Sequence, residues 1–223
     1  MDKWFVYDDL DAASKATAEF LAQSIESCLN EKKVCHVVLS GGNTPAQCLS
    51  YLAEKKLPWH KVHWYPGDER CYSRDHAERN DVMLQKYLWS HLGDTNIHLI
   101  PAELGAEKAA EEYRQVISSV ERIDIAFLGL GEDGHTASLF PENKALTDSR
   151  SVIPVYHSPK PPPDRVSLSM DTLKKASVRI VLASGIAKSS IIKRIKEGES
   201  FPITCLGDIN WFIDKDALPD RTE

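Results

Sequence analysis

Ile123, Ile125, Ala126, Phe127, Leu128 and Leu130 form the run that most constrains this chain, because apolar residues fall on both faces of a period-two repeat. Such a run suits a strand covered on both sides, as in a parallel sheet, rather than one with a wet face. It ends in Gly129, Gly131 and Gly134, which permit tight turning and close backbone approach. Glu132, Asp133 and His135 therefore stand just past a strand's carboxyl end, where open α/β sheets place their ligands. The pattern presents a proton-transfer residue in a crevice.

Those glycines also satisfy G-x-G-x-x-G, so a dinucleotide turn has to be weighed. Glu132 and Asp133 lie between them and would oppose a diphosphate, and the motif comes past mid-chain. A purely structural glycine turn is the stronger alternative. The company this loop keeps along the chain favours catalysis.

Strands are expected at Trp4–Tyr7, Val34–Leu39, Val62–Tyr65, Ile97–Ile100, Ser151–Val155, Val166–Leu168, Val178–Ala183, Ile203–Leu206 and Trp211–Ile213. Helical spacing marks Ala12–Lys33 behind an Asp11 cap, Pro45 to about Lys56, Asp81–Leu92, Ala106–Val120 and Ile186–Lys196. This alternation predicts an α/β fold with a doubly wound, mainly parallel sheet and helices on both faces. A single domain over residues 1–223 is expected for this length. Ser158–Arg165, SPKPPPDR, is too short for a linker and reads as a stiff loop.

Lys plus Arg number 27 against 33 Asp plus Glu, a formal charge of −6, which argues against nucleic acid or an anionic membrane as main partner. The five cysteines include no C-x-x-C pair, so neither a zinc site nor a disulfide framework is expected. The opening residues lack the form of a signal peptide and no stretch is long enough to span a bilayer, so a cytosolic location is expected.

Gly41, Gly42, Asn43 and Thr44 lie between a strand and a helix that begins near Pro45. Exposed N–H groups and the helix dipole make that turn a phosphate cradle, although a P-loop lysine is absent and a plain capped turn fits as well. Arg70, Lys160, Arg165 and Lys188 are candidate cations for an anionic substrate, each of them alone an ordinary surface charge. Asp68, Glu69, Glu132 and Asp133 suit either a magnesium ion or the orientation of His135 and Arg70, but not a closed transition-metal site. The other histidines, His36, His60, His63, His76, His91, His98 and His157, read as structural or surface residues.

SGGNTP at Ser40–Pro45, GDER at Gly67–Arg70, GLGEDGHTASLFP at Gly129–Pro141 and PKPPPDRVSLS at Pro159–Ser169 occur in one order that resembles the 6-phosphogluconolactonase family. The resemblance extends to the WFIDKDAL tail, and SGGxTP is shared with a wider group that includes glucosamine-6-phosphate deaminases. It implies that group's doubly wound fold and metal-free, cofactor-free hydrolysis of 6-phospho-D-glucono-1,5-lactone, a small phosphorylated sugar lactone, to 6-phospho-D-gluconate. It also implies that His135 is catalytic, that Gly41–Thr44 face phosphate, and that Arg70, Lys160 and Arg165 face the substrate. Lys188 matches a phosphate-holding lysine of the deaminases, and Asp68 lies in the same GDER turn as Arg70. Asp133 is expected to fix the His135 tautomer. A monomer or weak homodimer is expected.

Two departures stand out. Leu139, Phe140 and Pro141 replace the region that leads to a ring-opening glutamate in the deaminases, and Arg79 stands where a serine usually precedes Asn80. A same-fold isomerase or deaminase and a catalytically silent sugar-phosphate sensor stay open as alternatives.

Overall fold

The computed structural model describes residues 1–219. In chain order its strands are β1 (Lys3–Tyr7), β2 (Cys35–Leu39), β3 (Val62–Pro66), β4 (Asp68–Arg70), β5 (Asn96–Ile97), β6 (Ile125–Leu128), β7 (Val152–Val155), β8 (Arg165–Leu168), β9 (Val178–Ala183) and β10 (Asn210–Asp214). The helices are α1 (Leu10–Glu31), α2 (Asn43–Ala53), α3 (Asn80–Tyr87), α4 (Ala106–Ser118), α5 (Met170–Lys174) and α6 (Ser189–Lys196). Seven strands form a parallel sheet in the order β1-β10-β9-β6-β2-β3-β5.

Alternation along each strand sorts the core. Val37, Leu39, Ile125, Phe127, Ile180, Leu182 and Phe212 pack with Leu21 of α1, Leu49 of α2 and Leu84 of α3. Val38, Ala126, Leu128, Val181, Ala183, Trp211 and Ile213 face the other way, against Tyr113 of α4 and Ile191 of α6. Both faces are therefore covered, which is why the strands carry few polar residues. Among the described residues no helix is long and apolar enough to cross a membrane.

The doubly wound sheet is as expected; a second sheet is not. Strands β4, β8 and β7 form a separate antiparallel sheet, with Ile153 and Val166 packed into the α4 side of the core. The chain leaves β3 at Gly67, whose N–H still bonds Leu39 O at 2.8 Å while its carbonyl accepts from Leu168 N at 2.8 Å.

Smaller differences have local causes. Residues Thr204–Leu206 form a short 3-10 turn instead of a strand, because β9 already has β6 and β10 on its two edges. Asp9 caps α1 by accepting from Ala12 N at 2.8 Å, while Asp11 accepts from Gln47 of α2 at 2.8 Å. The pairing expected to Ile100 stops at Ile97, and the helix expected to Leu92 ends at Tyr87 and continues as a 3-10 turn over Trp89–His91.

From β2 the chain steps outward to β3 and β5, and from β6 it steps the opposite way to β9 and β10. The sheet thus reverses direction between β2 and β6. Loops leaving adjacent strands at such a point splay apart, and a crevice opens at their carboxyl ends.

Candidate active site

The segments after β9, β6, β2 and β3 stand side by side at this edge, since these four strands are neighbours in that order. They carry Ser184–Lys188, Gly129–His135, Ser40–Thr44 and Gly67–Arg70 respectively. The sequence candidates are gathered by topology rather than by proximity along the chain.

The β6 loop closes on itself through Gly134 N to Gly131 O at 3.0 Å and Gly131 N to His135 O at 2.8 Å. Gly134 has φ +80°, a region that favours glycine. A Cβ on Gly131 would overlap the His135 imidazole and stand 2.6 Å from Asp133 Oδ1, so only a glycine leaves room for the pair. Asp133 Oδ1 accepts from His135 N at 3.2 Å and is hydrogen-bonded to His135 Nδ1.

Burial alone would raise the Asp133 carboxyl, but the hydrogen bond and charge of His135 hold it below the usual range. An ionised carboxylate only accepts, so Nδ1 carries the proton and the lone pair belongs to Nε2. No hydrogen bond engages Nε2 among the described residues. The ring packs on Phe140 at 4.5 Å between centroids, leaving its side chain 15% exposed. Burial lowers the His135 pKa; Asp133 opposes that shift and Lys160 reinforces it. A neutral imidazole with one open nitrogen is the form that can take a proton.

Asp68 is buried, and its carboxylate accepts from Asn80 Nδ2 at 3.1 Å and Ser138 Oγ at 2.5 Å. Asn80 lies against Gly41, where a Cβ would fall 2.8 Å from that of Asn80. The β2, β3 and β6 loops are tied together at this spot. Glu69, fully buried, accepts from Arg70 N, Asn80 N and Asp81 N at 2.8–2.9 Å, which anchors the start of α3. Burial and then Asp81 push its carboxyl up to about 8, against those three donors. Both carboxylates hold structure, so the magnesium reading loses its first two ligands.

Arg79 turns away from the crevice. It is buried and donates to Asp81 at 2.6 Å, Glu103 at 2.9 Å and Ile100 O at 3.1 Å. Sequence reasoning missed Ser138 as the residue that fixes Asp68. Its place three positions after His135 was the one available signal.

The four cations divide by what they touch. Arg70 and Arg165 are directly opposed on β4 and β8. Arg165 donates to Pro161 O at 2.9 Å, Lys160 O at 3.2 Å and Pro162 O at 3.3 Å and lies over the Phe140 ring at 5.5 Å, so it braces the proline loop. Arg70 Nη1 donates to Glu78 O at 2.6 Å, while its buried Nε has no partner among the described residues. Lys160 is exposed, and its charge reaches both His135 and Lys188. Lys188 is half-buried before α6; burial lowers its pKa, and Glu132 opposes that. Gly42, at φ +110°, begins α2 without any side-chain cap, which leaves the first-turn N–H groups of Asn43 and Thr44 open to an anion. Phe140 also lines a cavity of about 660 Å³ with Pro141, Asn143 and Pro159.

The family described as glucosamine-6-phosphate isomerases/6-phosphogluconolactonase matches residues 8–211. The chain is 32% identical to a 6-phosphogluconolactonase of Homo sapiens, an alignment covering 95% of this chain and 91% of that protein. It is 30% identical to a 6-phosphogluconolactonase of Thermotoga maritima, over 96% of this chain and 100% of that protein. A crystal structure of 6-phosphogluconolactonase from Thermotoga maritima superposes with a TM-score of 0.90, at 28% identity, over 96% of this chain and 100% of that one.

Proposed function

This chain belongs to the family of glucosamine-6-phosphate isomerases and 6-phosphogluconolactonases, and from that premise we propose that it hydrolyses 6-phospho-D-glucono-1,5-lactone to 6-phospho-D-gluconate. One observation carries the reading: the His135–Asp133 pair stands at the reversal point of the sheet with Nε2 open.

A lactone carbonyl needs an activated water, a stabilised oxyanion and a protonated leaving oxygen. Neutral His135 takes a proton from water through Nε2 as the water attacks the carbonyl carbon. The imidazolium then returns that proton to the ring oxygen as the C–O bond breaks, giving the hydroxy acid. Asp133 steadies the charged ring between these steps. General-base help of this kind is worth roughly 10²–10⁴-fold. N–H groups of the glycine loops face the developing oxyanion, each worth about 3 kcal/mol where such donors have been removed.

The phosphate lies at the other end of the sugar. The uncapped start of α2, with Gly41, Gly42, Asn43 and Thr44, accepts it together with Lys188, Lys160 and Arg70, while Arg165 holds the loop that carries Lys160. Binding at that remote end positions the carbonyl against His135. Asp68, held by Asn80 and Ser138, braces the loops between them. No metal step is needed, because a base and a cation-rich anchor account for every proton and charge in the reaction.

Lactone loss measured above its spontaneous rate, with and without a chelator, tests the whole reading. Turnover indifferent to chelator is expected. Absence of acceleration would leave a silent sugar-phosphate binder, and release of ammonia from glucosamine 6-phosphate would move the chain to the deaminase branch.

A further inference from the structure

Far from this crevice, Cys28 of α1, Cys35 of β2 and Asp124 just before β6 bring one ligand atom each within 4.8 Å of one another. They stand at the amino ends of β2 and β6, the opposite edge from His135. Cys35 and Asp124 are buried and Cys28 is half-buried. The two cysteines lie too far apart in sequence for a chelating motif, and the carboxylate lies far along the chain, just before the neighbouring strand β6, so only the fold assembles the group.

The cluster already gathers positive charge. Asp124 Oδ2 accepts from His36 N at 2.9 Å, and Oδ1 is ion-paired with Lys32, whose side chain is 39% exposed. A cavity of about 370 Å³ lined by Cys28, Lys32, Arg122 and Asp124 gives access from solvent. A thiophilic cation displaces the protons of paired thiols directly.

We propose that Cys28, Cys35 and Asp124 form a binding site for a thiophilic divalent cation of the zinc class, with the fourth position open to the adjoining cavity. Two S–H bonds and the Lys32 contact are exchanged for two metal–thiolate bonds and one metal–carboxylate bond. Two protons leave to solvent, and Lys32 swings outward still charged. Metal–sulfur bonds of about 2.3 Å set the sulfurs about 3.8 Å apart in a tetrahedron, a small adjustment from the present spread. The ion ties the end of α1 to the amino edge of the sheet, well away from the catalytic loops.

Cadmium titrated into the reduced full-length chain tests the site through thiolate-to-cadmium ultraviolet charge-transfer absorption. One equivalent is expected to saturate the signal, with affinity rising roughly a hundredfold per pH unit near about pH 6–7, as two displaced protons require. Cys28→Ser should abolish the signal, whereas Cys205→Ser, at an exposed thiol, should keep it. Lys32→Ala removes the competing ammonium and should tighten binding roughly fivefold, the scale of a partly exposed ion pair. A signal lost in Cys205→Ser and kept in Cys28→Ser would overturn the assignment, as would no saturable binding at all. Unchanged affinity in Lys32→Ala would remove Asp124 from the ligand set.

Discussion

Gly131 is the residue at which the proposed chemistry tolerates least. A methyl group there falls on the His135 ring and against Asp133, so Gly131→Ala must displace the pair even if the loop keeps its path. Its kcat should drop toward that of His135→Ala, by roughly a hundredfold or more, while circular dichroism stays native. Near-normal turnover in His135→Ala would exclude it as the base, and near-normal turnover in Gly131→Ala would show that the loop gives way instead of the pair. The pH profile gives an independent check. Burial lowers the His135 pKa, so the base form persists below the ordinary histidine value, and the acid limb of kcat/KM should fall there. Asp133 opposes that shift, so Asp133→Asn should move the limb to still lower pH as it reduces kcat. A limb moving upward would mean that Asp133 does not hold the ring. The glycine loop and its histidine were legible in the sequence because strand, turn and acid lie within a few residues. The bracing of Asp68 by Ser138 and Asn80 was not, because those contacts link residues 12 and 70 positions apart.

At the scale of elements, the parallel strands were readable from their apolar runs, and the small sheet was hidden by the brevity of β4, three residues that read as a turn. Less visible still was a row of histidines across three neighbouring strands. His36 and His63 are paired in register on β2 and β3, and His98 follows β5 and meets His63 at 3.0 Å. Tyr65 stacks on His98 at 4.5 Å and bonds His36 Nδ1 at 3.0 Å. Burial lowers the pKa of all three rings, and neighbouring histidines add to this at His36 and His98. The folded chain therefore binds fewer protons here than the unfolded chain. Stability from this row is complete above the unfolded value of about 6.5 and is lost as pH falls from there through the lowered folded values. The urea midpoint should drop between about pH 7 and about pH 5. It should drop less in His98→Phe, which keeps the stack on Tyr65 but cannot be protonated. Equal pH dependence in the two proteins would show that the row is not the acid-sensitive element.

For the molecule as a whole, the sheet is shared property of two cores, and that sharing decides how it unfolds. Each of β2, β6, β9 and β10 sends alternate side chains into the α1–α2 side and the α4–α6 side, so neither core can open without exposing the backs of the same strands. Leu49→Ala empties space on the first side and Ile153→Ala on the second, each at a fully buried position. Each should cost about 2–5 kcal/mol of unfolding free energy. The residues lie in separate clusters with the sheet between them, so their costs should add within about 0.5 kcal/mol in the double variant. All three proteins should unfold in one transition whose denaturant slope matches the parent, read by tryptophan fluorescence and far-ultraviolet circular dichroism. Trp64 reports on the first core and Trp211 on the second, so fluorescence sees both sides. If Ile153→Ala splits the curve into two steps while Leu49→Ala does not, the small sheet and the α4 side unfold as a unit of their own. The proposed catalytic loop would then belong to that unit, because Leu130, Leu139 and Phe140 are buried in the same cluster as Ile153.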